Sequence, residues 1–468
     1  MGKLQKKLED YNNQDYCPMH MPGHKRNTQL LGKKLPYNID ITEIDGFDDL
    51  HHSEGILKNI QDKAQKLYNS KKSFMLVNGS TCGILAGIRS VVKQKDTILV
   101  ARNCHKSVYH AIEINELNPI YINPEIDEYG IAKGIEAKDI EKNLKENKEI
   151  SLIVLTSPTY EGVISNLKEI SKVAHKYNVP LLIDEAHGAH LKFMKNGENK
   201  EEALNACADI VIQSLHKTLP ALTQCALLHV QGDLVDYKNV SRELSIFETS
   251  SPSYILMSSI EECLDIVQNE GISLFSEYEK NIKDFYDKSK NLKKLKILGN
   301  VKNNSEFYDY GKIVILTNKT NISGKELATI LREKYKIETE MAYTNYVIAM
   351  TSICDSKNNF KRLIDALIEI DSNLKPNTVN EKQVYIENPI RKMNILEAVQ
   401  SDNIKKVNYK NAIGKVSKEY IWVYPPGIPL ITPGEVIDKN IINKINEFIK
   451  AKIEIRTDSE EFPNIKVI

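Results

Sequence analysis

Residues 181–190 read LLIDEAHGAH: an apolar run meets two acids, Asp184 and Glu185, and two histidines, His187 and His190. Three chemistries use such a string. A DEAH box serves a helicase, a set of carboxylates and imidazoles binds a metal, and a strand end delivers one carboxylate to a cofactor. A helicase also needs a phosphate loop of the form GxxxxGK[ST], and no Gly-Lys pair in the chain is followed by Ser or Thr. A metal needs three or four ligands within reach. A residue at a strand end and one three positions on face different ways unless the loop turns sharply, so no metal is expected. The third reading requires partners at other strand ends.

Five apolar runs end in residues able to do chemistry. After SFMLV comes NGSTCG (78–83), where Ser80 and Thr81 open a helix. Unpaired amides and hydroxyls at a helix start suit a small phosphate, although Ser or Thr there also serves as a plain N-cap. After TILVA comes RNCHKS (102–107) with His105, and after SLIVL comes TSPTYEG (156–162) with Tyr160. Asp184 ends LLID. After DIVIQ comes SLHKTLPALTQ (214–224), with Ser214, His216 and Lys217. An isolated lysine is ordinarily a solvated charge, but Lys217 lies between a buried-type strand and an apolar TLPAL. There it is costly unless neutralised or bonded. A phosphate cradle, a histidine, a tyrosine, an aspartate and a lysine, in that order, match the needs of pyridoxal 5′-phosphate (PLP). The lysine forms a Schiff base with it, the aspartate pairs with its ring nitrogen, and a flat imidazole stacks on its ring.

The elements that must position these groups alternate. Short apolar strands (73–77, 97–101, 151–155, 181–184, 209–213, 225–230) are interleaved with helical stretches. One of these, NLKEISKVAHKYN, places Leu167, Ile170, Val173, Ala174 and Tyr177 on one face. That pattern predicts an α/β fold with a large, mainly parallel sheet sandwiched by helices, whose ligands lie at the carboxyl ends of the strands. The first 50 or so residues lack strong periodicity. Residues 252–290 read as one helix, and KIVIL, GKELATILREKY, IETEM, YVIAM and NFKRLIDALIEI compose a small α+β unit. A helical NILEAVQ, the loop YPPGIPLITPGE (424–435) and a terminal helix follow. The expected organisation is an N-terminal arm (1–55), a PLP-binding large domain (56–295), a small α+β domain (296–375) and a C-terminal domain (376–468).

Lys plus Arg and Asp plus Glu both total 63, so net charge gives no reason to expect nucleic acid or an anionic membrane. The seven cysteines form no CxxC pair and are odd in number, as in a cytoplasmic protein with reduced thiols. The first residues are charged and polar, so no signal peptide is expected, the myristoylation pattern fails at Lys6, and no apolar run is of membrane length.

Taken together, MPGHK (21–25), TEIDGFDDLH (42–51), VNGSTCG (77–83), RNCHKS, SPTYEG (157–162), IDEAHGAH (183–190), SLHKTLPALTQ, TSSPSY (249–254) and YPPGIPLITPGE resemble the Orn/Lys/Arg decarboxylases of PLP fold type I, the aspartate aminotransferase fold. The resemblance covers nearly the whole chain. It implies that Lys217 carries PLP, Asp184 salt-bridges the ring nitrogen and His105 stacks over the ring. Ser80, Thr81, Ser214 and His216 bind or flank the phosphate, and His187 lies near the cofactor. Ser250, in TSSPSY, is implied to reach the phosphate of a neighbouring subunit, so the active site belongs to a homodimer or larger assembly. Large members carry a wing domain before the PGHK motif. That motif begins here at Pro22, so the wing and its ring assembly are not expected. Some large members have tryptophan where His187 stands.

The implied reaction is PLP-dependent decarboxylation of a basic amino acid. Arginine, giving agmatine, is favoured by analogy with short members, and lysine or ornithine come next. Glu43, Asp45, Asp48, Asp49 and Glu435 are candidates, with Tyr160, for the substrate end of the site, although carboxylates so placed are more often solvated or helix caps. The competing readings are an aminotransferase using Arg332 or Arg362 for the α-carboxylate, a carbon–carbon lyase on the same fold, and an inactive PLP-binding regulator.

Overall fold

The computed structural model describes residues 2–14, 35–194, 202–301, 307–377, 388–423 and 427–468; MPGHK and the start of YPPGIPLITPGE lie outside them. Seven strands form the main sheet: β1 (Lys72–Leu76), β2 (Thr97–Ala101), β3 (Asn118–Ile122), β4 (Ile150–Thr156), β5 (Leu181–Asp184), β6 (Ile210–Ser214) and β7 (Ala226–Val230). Their order is β1-β7-β6-β5-β4-β2-β3. The pairs β5/β6, β2/β4 and β2/β3 are parallel, whereas β7 runs antiparallel to both β1 and β6. This is the α/β class expected, with a mostly parallel sheet whose strands are buried on both faces. Val211, Ile212, Leu227 and Leu228 are fully enclosed, which is why these strands read as unbroken apolar runs.

The chain divides into two compact units. The first comprises Met1–Val91, Leu182–Lys195 and Glu202–Ser276. Its helix Ile56–Tyr68 buries Leu57, Ile60, Ala64 and Tyr68 on one face, the i, i+3, i+4 spacing of a core-facing stripe. The helix Gly79–Arg89 approaches the sheet closely because Gly83 and Gly87 lack side chains. A Cβ at Gly83 would stand 2.6 Å from Leu76 Cδ1, and one at Gly87 3.1 Å from Leu182 Cδ1. Among the described residues of the irregular entry, Lys3–Asn12 forms a helix that periodicity alone did not show, with Leu4 and Leu8 buried one turn apart.

The second unit comprises Val92–Leu181, Asn196–Glu201 and Glu277–Ile468. It holds a four-stranded antiparallel sheet made by Lys296–Ile297, Lys312–Leu316, Met341–Ala342 and Tyr346–Met350. Of the strand expected over IETEM only Met341 is extended in the sheet, in the pair Met341–Ala342. Towards the C-terminus, Ile421–Val423 pairs with Pro429–Ile431 and Ile455–Thr457, and Lys405–Asn408 pairs with Asn464–Val467. The helix Lys439–Lys450 is therefore not the last element: two strands follow it and share its core through Ile441, Ile445, Phe448, Ile455, Ile465 and Val467. The long helix Tyr254–Ser289 matches the stretch read as helical from sequence. Among the described residues, no helix is long and apolar enough to cross a membrane.

Candidate active site

In the first unit the carboxyl ends of β5 and β6 and the start of the Gly79–Arg89 helix carry the expected groups. Lys217 lies in the short helix Leu215–Thr218 that follows β6. Its Nζ is 3.1 Å from His187 Nε2. An ammonium has only donors, so His187 Nε2 accepts, and a neutral His187 carries its proton on Nδ1. Asp184 ends β5 with its carboxyl buried and accepts the Ala186 amide at 3.1 Å. Burial raises its pKa above the ordinary 3.8, against the lowering field of Lys217 and that amide. A cationic ligand beside Asp184 would offset that burial.

Ser80 and Ser214 join their hydroxyls at 2.7 Å. The Gly79–Arg89 helix has Asn78 at its N-cap with no side-chain cap; the Gly79 amide donates to the Gln224 carbonyl at 3.0 Å, and no side-chain oxygen caps the amides that follow it. Gly79 has φ +72°, and a Cβ there would meet no atom within 4 Å. Bare backbone and a helix start beside two paired, buried hydroxyls fit the phosphate of PLP, and Thr81 lies exposed beside them. His216 is pinned by its Nδ1, which donates to the Cys225 carbonyl at 3.0 Å. Burial, with a smaller push from Lys217, lowers its pKa. In the neutral form its Nε2 is therefore an acceptor and would donate to a phosphate only when protonated.

Glu185 and His190 separate from Asp184 and His187. Glu185 is fully buried and accepts from the Ala203 amide at 2.9 Å and the Gln213 amide group at 2.7 Å. Burial, and next the neighbouring Glu202, hold its pKa well above the usual range. Gln213 in turn meets His229, and His229 meets Ser73. His190 is buried. Both are built into the protein interior.

The substrate candidates fare differently. Asp48 turns its carboxylate onto the amides of Glu54, Gly55, Leu57 and Lys58 at the start of the Ile56–Tyr68 helix. It acts as a helix cap, the commoner role for an acid so placed. Glu43, Asp45 and Ser250 are exposed, and Asp49 accepts the His51 amide at 2.8 Å. Glu248 was not singled out from sequence, though it immediately precedes TSSPSY. It is buried and accepts the Val77 amide at 2.6 Å, at the entry to the Gly79–Ser80 turn. Burial pushes its pKa up to about 7.

In the second unit, His105 caps the helix Lys106–Ile114, its Nδ1 accepting from the Ser107 amide at 3.3 Å and meeting the Ser107 hydroxyl at 2.9 Å. A neutral His105 thus carries its proton on Nε2. Tyr160 bonds Glu340 through its hydroxyl. Glu435, expected among the substrate acceptors, is fully buried. One oxygen accepts from Arg102 Nη2 at 2.9 Å and from the Thr432 amide at 2.7 Å. Glu435 Oε2, like the carboxylate of Asp48, is thus engaged within the protein, while Glu435 Oε1 is buried with no hydrogen-bond partner among the described residues. Arg362 donates to the Tyr335 and Lys336 carbonyls, which occupies one arginine that an aminotransferase reading would use.

Comparison with known proteins shows the family. The model of the Orn/Lys/Arg decarboxylase major domain matches residues 3–304, and that of the family's C-terminal domain matches residues 378–464. An arginine decarboxylase of Bacillus subtilis (strain 168) is 32% identical over 93% of this chain and 91% of its own. An inducible lysine decarboxylase of Escherichia coli (strain K12) is 24% identical, covering 90% of this chain and 71% of its own. In fold, the solved lysine decarboxylase of Francisella novicida superposes with a TM-score of 0.82 at 21% identity, over 100% of this chain and 81% of its own.

Proposed function

Since the chain belongs to the Orn/Lys/Arg decarboxylase family, and is on that ground a PLP-dependent decarboxylase of a basic amino acid, we propose that its substrate is arginine and its product agmatine. The higher identity and coverage with the arginine decarboxylase than with the lysine decarboxylase support that choice. The observation that carries the site assignment is the pairing of Lys217 Nζ with His187 Nε2 at 3.1 Å beside the buried carboxyl of Asp184.

Bound PLP supplies a sink for the electron pair released when the bond from Cα to the carboxylate breaks. Lys217 is the amine that holds the cofactor. Asp184, buried and near a cation, keeps a proton on the cofactor's ring nitrogen. The Ser80 and Thr81 amides and the Ser80 and Ser214 hydroxyls hold the phosphate, with the Thr81 side chain and His216 at its margin, and His105 is assigned the ring face. Loss of carbon dioxide leaves Cα one proton short. Once substrate has displaced Lys217, its ammonium can return that proton. His187 Nε2 accepts from the same nitrogen and keeps it oriented. The reaction consumes one proton per turnover. We also assign a homodimer, with Ser250 at the subunit boundary, and a cytoplasmic setting.

One assay tests the reading. PLP-loaded protein is given arginine, lysine and ornithine separately, and the amine formed is identified. Agmatine with released carbon dioxide is expected. Cadaverine or putrescine instead would overturn the choice of arginine, and no amine from any of the three would overturn the activity. Light scattering of the same protein is expected to give at least a dimer, and a fully active monomer would overturn that assignment.

A further inference from the structure

Two motifs singled out from sequence, RNCHKS (102–107) and YPPGIPLITPGE (424–435), stand far apart in the chain. Within the second unit they meet. On the N-terminal side of His105, Arg102 Nη2 donates to Glu435 at 2.9 Å and to the Leu430 carbonyl at 3.4 Å. The guanidinium lies against the rings of Tyr109 and Tyr121, at 5.5 and 4.9 Å from their centroids. Tyr109 also bonds the Arg102 carbonyl through its hydroxyl at 2.6 Å. On the C-terminal side, the Lys106 amide donates to the Gly427 carbonyl at 3.2 Å, and Lys106 Nζ stands 5.3 Å from the Trp422 ring centroid. Further along the same helix, Glu113 accepts the Tyr420 hydroxyl at 3.1 Å.

His105 is thus the residue between two clasped points, and Ser107 fixes the rotation of its ring. A charge pair buried to this degree is a poor source of net stability. Desolvating both ions consumes most of their attraction, and an apolar pair of similar size would pack as well. What an apolar pair cannot supply is direction: a forked guanidinium accepts only one arrangement of carboxylate and carbonyl.

We propose that Arg102 and Glu435 are positioning residues for His105, through which the C-terminal module sets the seat of the cofactor ring. This rests on the reading of His105 as the group over that ring. The clasp acts on cofactor affinity through one side chain, that of His105.

A double-mutant cycle on the full-length protein tests it, with PLP affinity measured by titrating the cofactor-free protein. The pair replacement Arg102→Met with Glu435→Leu removes both charges together, so no buried ion is stranded. It is made in the native background and in His105→Ala. The chain's single tryptophan, Trp422, reports by its emission whether the module keeps its seat and the variants fold. We expect His105→Ala and the pair replacement each to weaken PLP binding about tenfold, and their combination to be no weaker than His105→Ala alone within about twofold. A pair replacement that weakens PLP equally in both backgrounds overturns the positioning role and leaves the His105 reading standing. If His105→Ala binds PLP as tightly as the native protein, the His105 reading itself falls, and the proposal with it. Lys106→Met, at the opposite flank, is expected to weaken PLP in the same background-dependent way. An unchanged affinity there, with Trp422 emission altered, would overturn the two-flank clasp.

Discussion

Asp184 and Glu435 are both carboxyl groups shut away from water, and burial raises the pKa of each. Their surroundings differ. Glu435 has a guanidinium at 2.9 Å and the Thr432 amide at 2.7 Å. Asp184 has one amide, from Ala186 at 3.1 Å, and feels Lys217 through its field. A buried acid provided with its own cation holds two parts of the chain together. A buried acid given one amide, beside an amine and an open phosphate cradle, is suited to a cation that arrives from outside. Burial alone does not distinguish these cases; the partner count does. Glu185, next in sequence to Asp184, follows Glu435: two donors from within the protein bind it and no ligand is required.

Four substitutions test that contrast, in order of expected effect. Lys217→Ala removes the amine assigned to hold the cofactor, so turnover should fall by about 10⁴ or more, and borohydride should no longer attach PLP to the chain. Turnover near the native rate would show that the open carboxyl does not mark the site. Arg102→Met strands Glu435 as a buried charge and should cost about 3–5 kcal/mol of stability, read by denaturant unfolding of the cofactor-free protein. A cost under about 1 kcal/mol would remove the distinction on the Glu435 side. Asp184→Asn should behave oppositely. We expect kcat to fall by about 10²–10³ while the cofactor-free protein unfolds at an equal or higher denaturant concentration, because a buried charge has been removed. A large loss of stability would show that Asp184 is structural after all.

The smallest effect concerns Glu248, whose pKa rises from the ordinary 4.5 to about 7. Between those values the folded chain holds a proton that the unfolded chain has released. Its contribution to stability is thus fully present below pH 4.5 and lost as pH rises through about 7. The difference amounts to roughly 3 kcal/mol at most. Glu248→Gln should flatten the fall in stability between those pH values relative to the native protein. An identical pH profile in the variant would show that this carboxyl does not titrate there.

Much of this was legible in the primary structure. Strands such as TILVA, LLID, KIVIL and YVIAM coincide with their apolar runs because both faces are buried and nothing interrupts the pattern. Lys217 and Asp184 stand out in the sequence because a lysine and an acid are rare beside buried strand ends. Other elements were hidden for identifiable reasons. β3 (NPIYI) carries a proline, which argues against a strand, but it sits at the end of the sheet order, where one face of the ladder needs no partner. The short C-terminal strands, only three or four residues long, offer too little length for periodicity to register. Glu435 and Asp48 were read as substrate acceptors because sequence shows that a residue is acidic, not whether an arginine or a row of amides already waits for it. That information lies in contacts between distant segments, as with Arg102 and Glu435.

The antiparallel course of β7 has one more consequence. β6 and β7 pair in register from Ile210 with Val230 to Ser214 with Ala226, so Lys217 lies in the return loop of a hairpin. A hairpin closes over a short stretch of chain, and such closures are fast compared with parallel pairings that await a long crossover. The lysine is therefore placed by a local folding event that needs none of the remote parallel pairings. Asp184, by contrast, ends a strand paired in parallel and takes its position only when that longer connection closes. During refolding, amides of the 210–230 hairpin should gain protection from hydrogen exchange ahead of those of β5, making the lysine's surroundings among the first parts of the molecule to acquire native order.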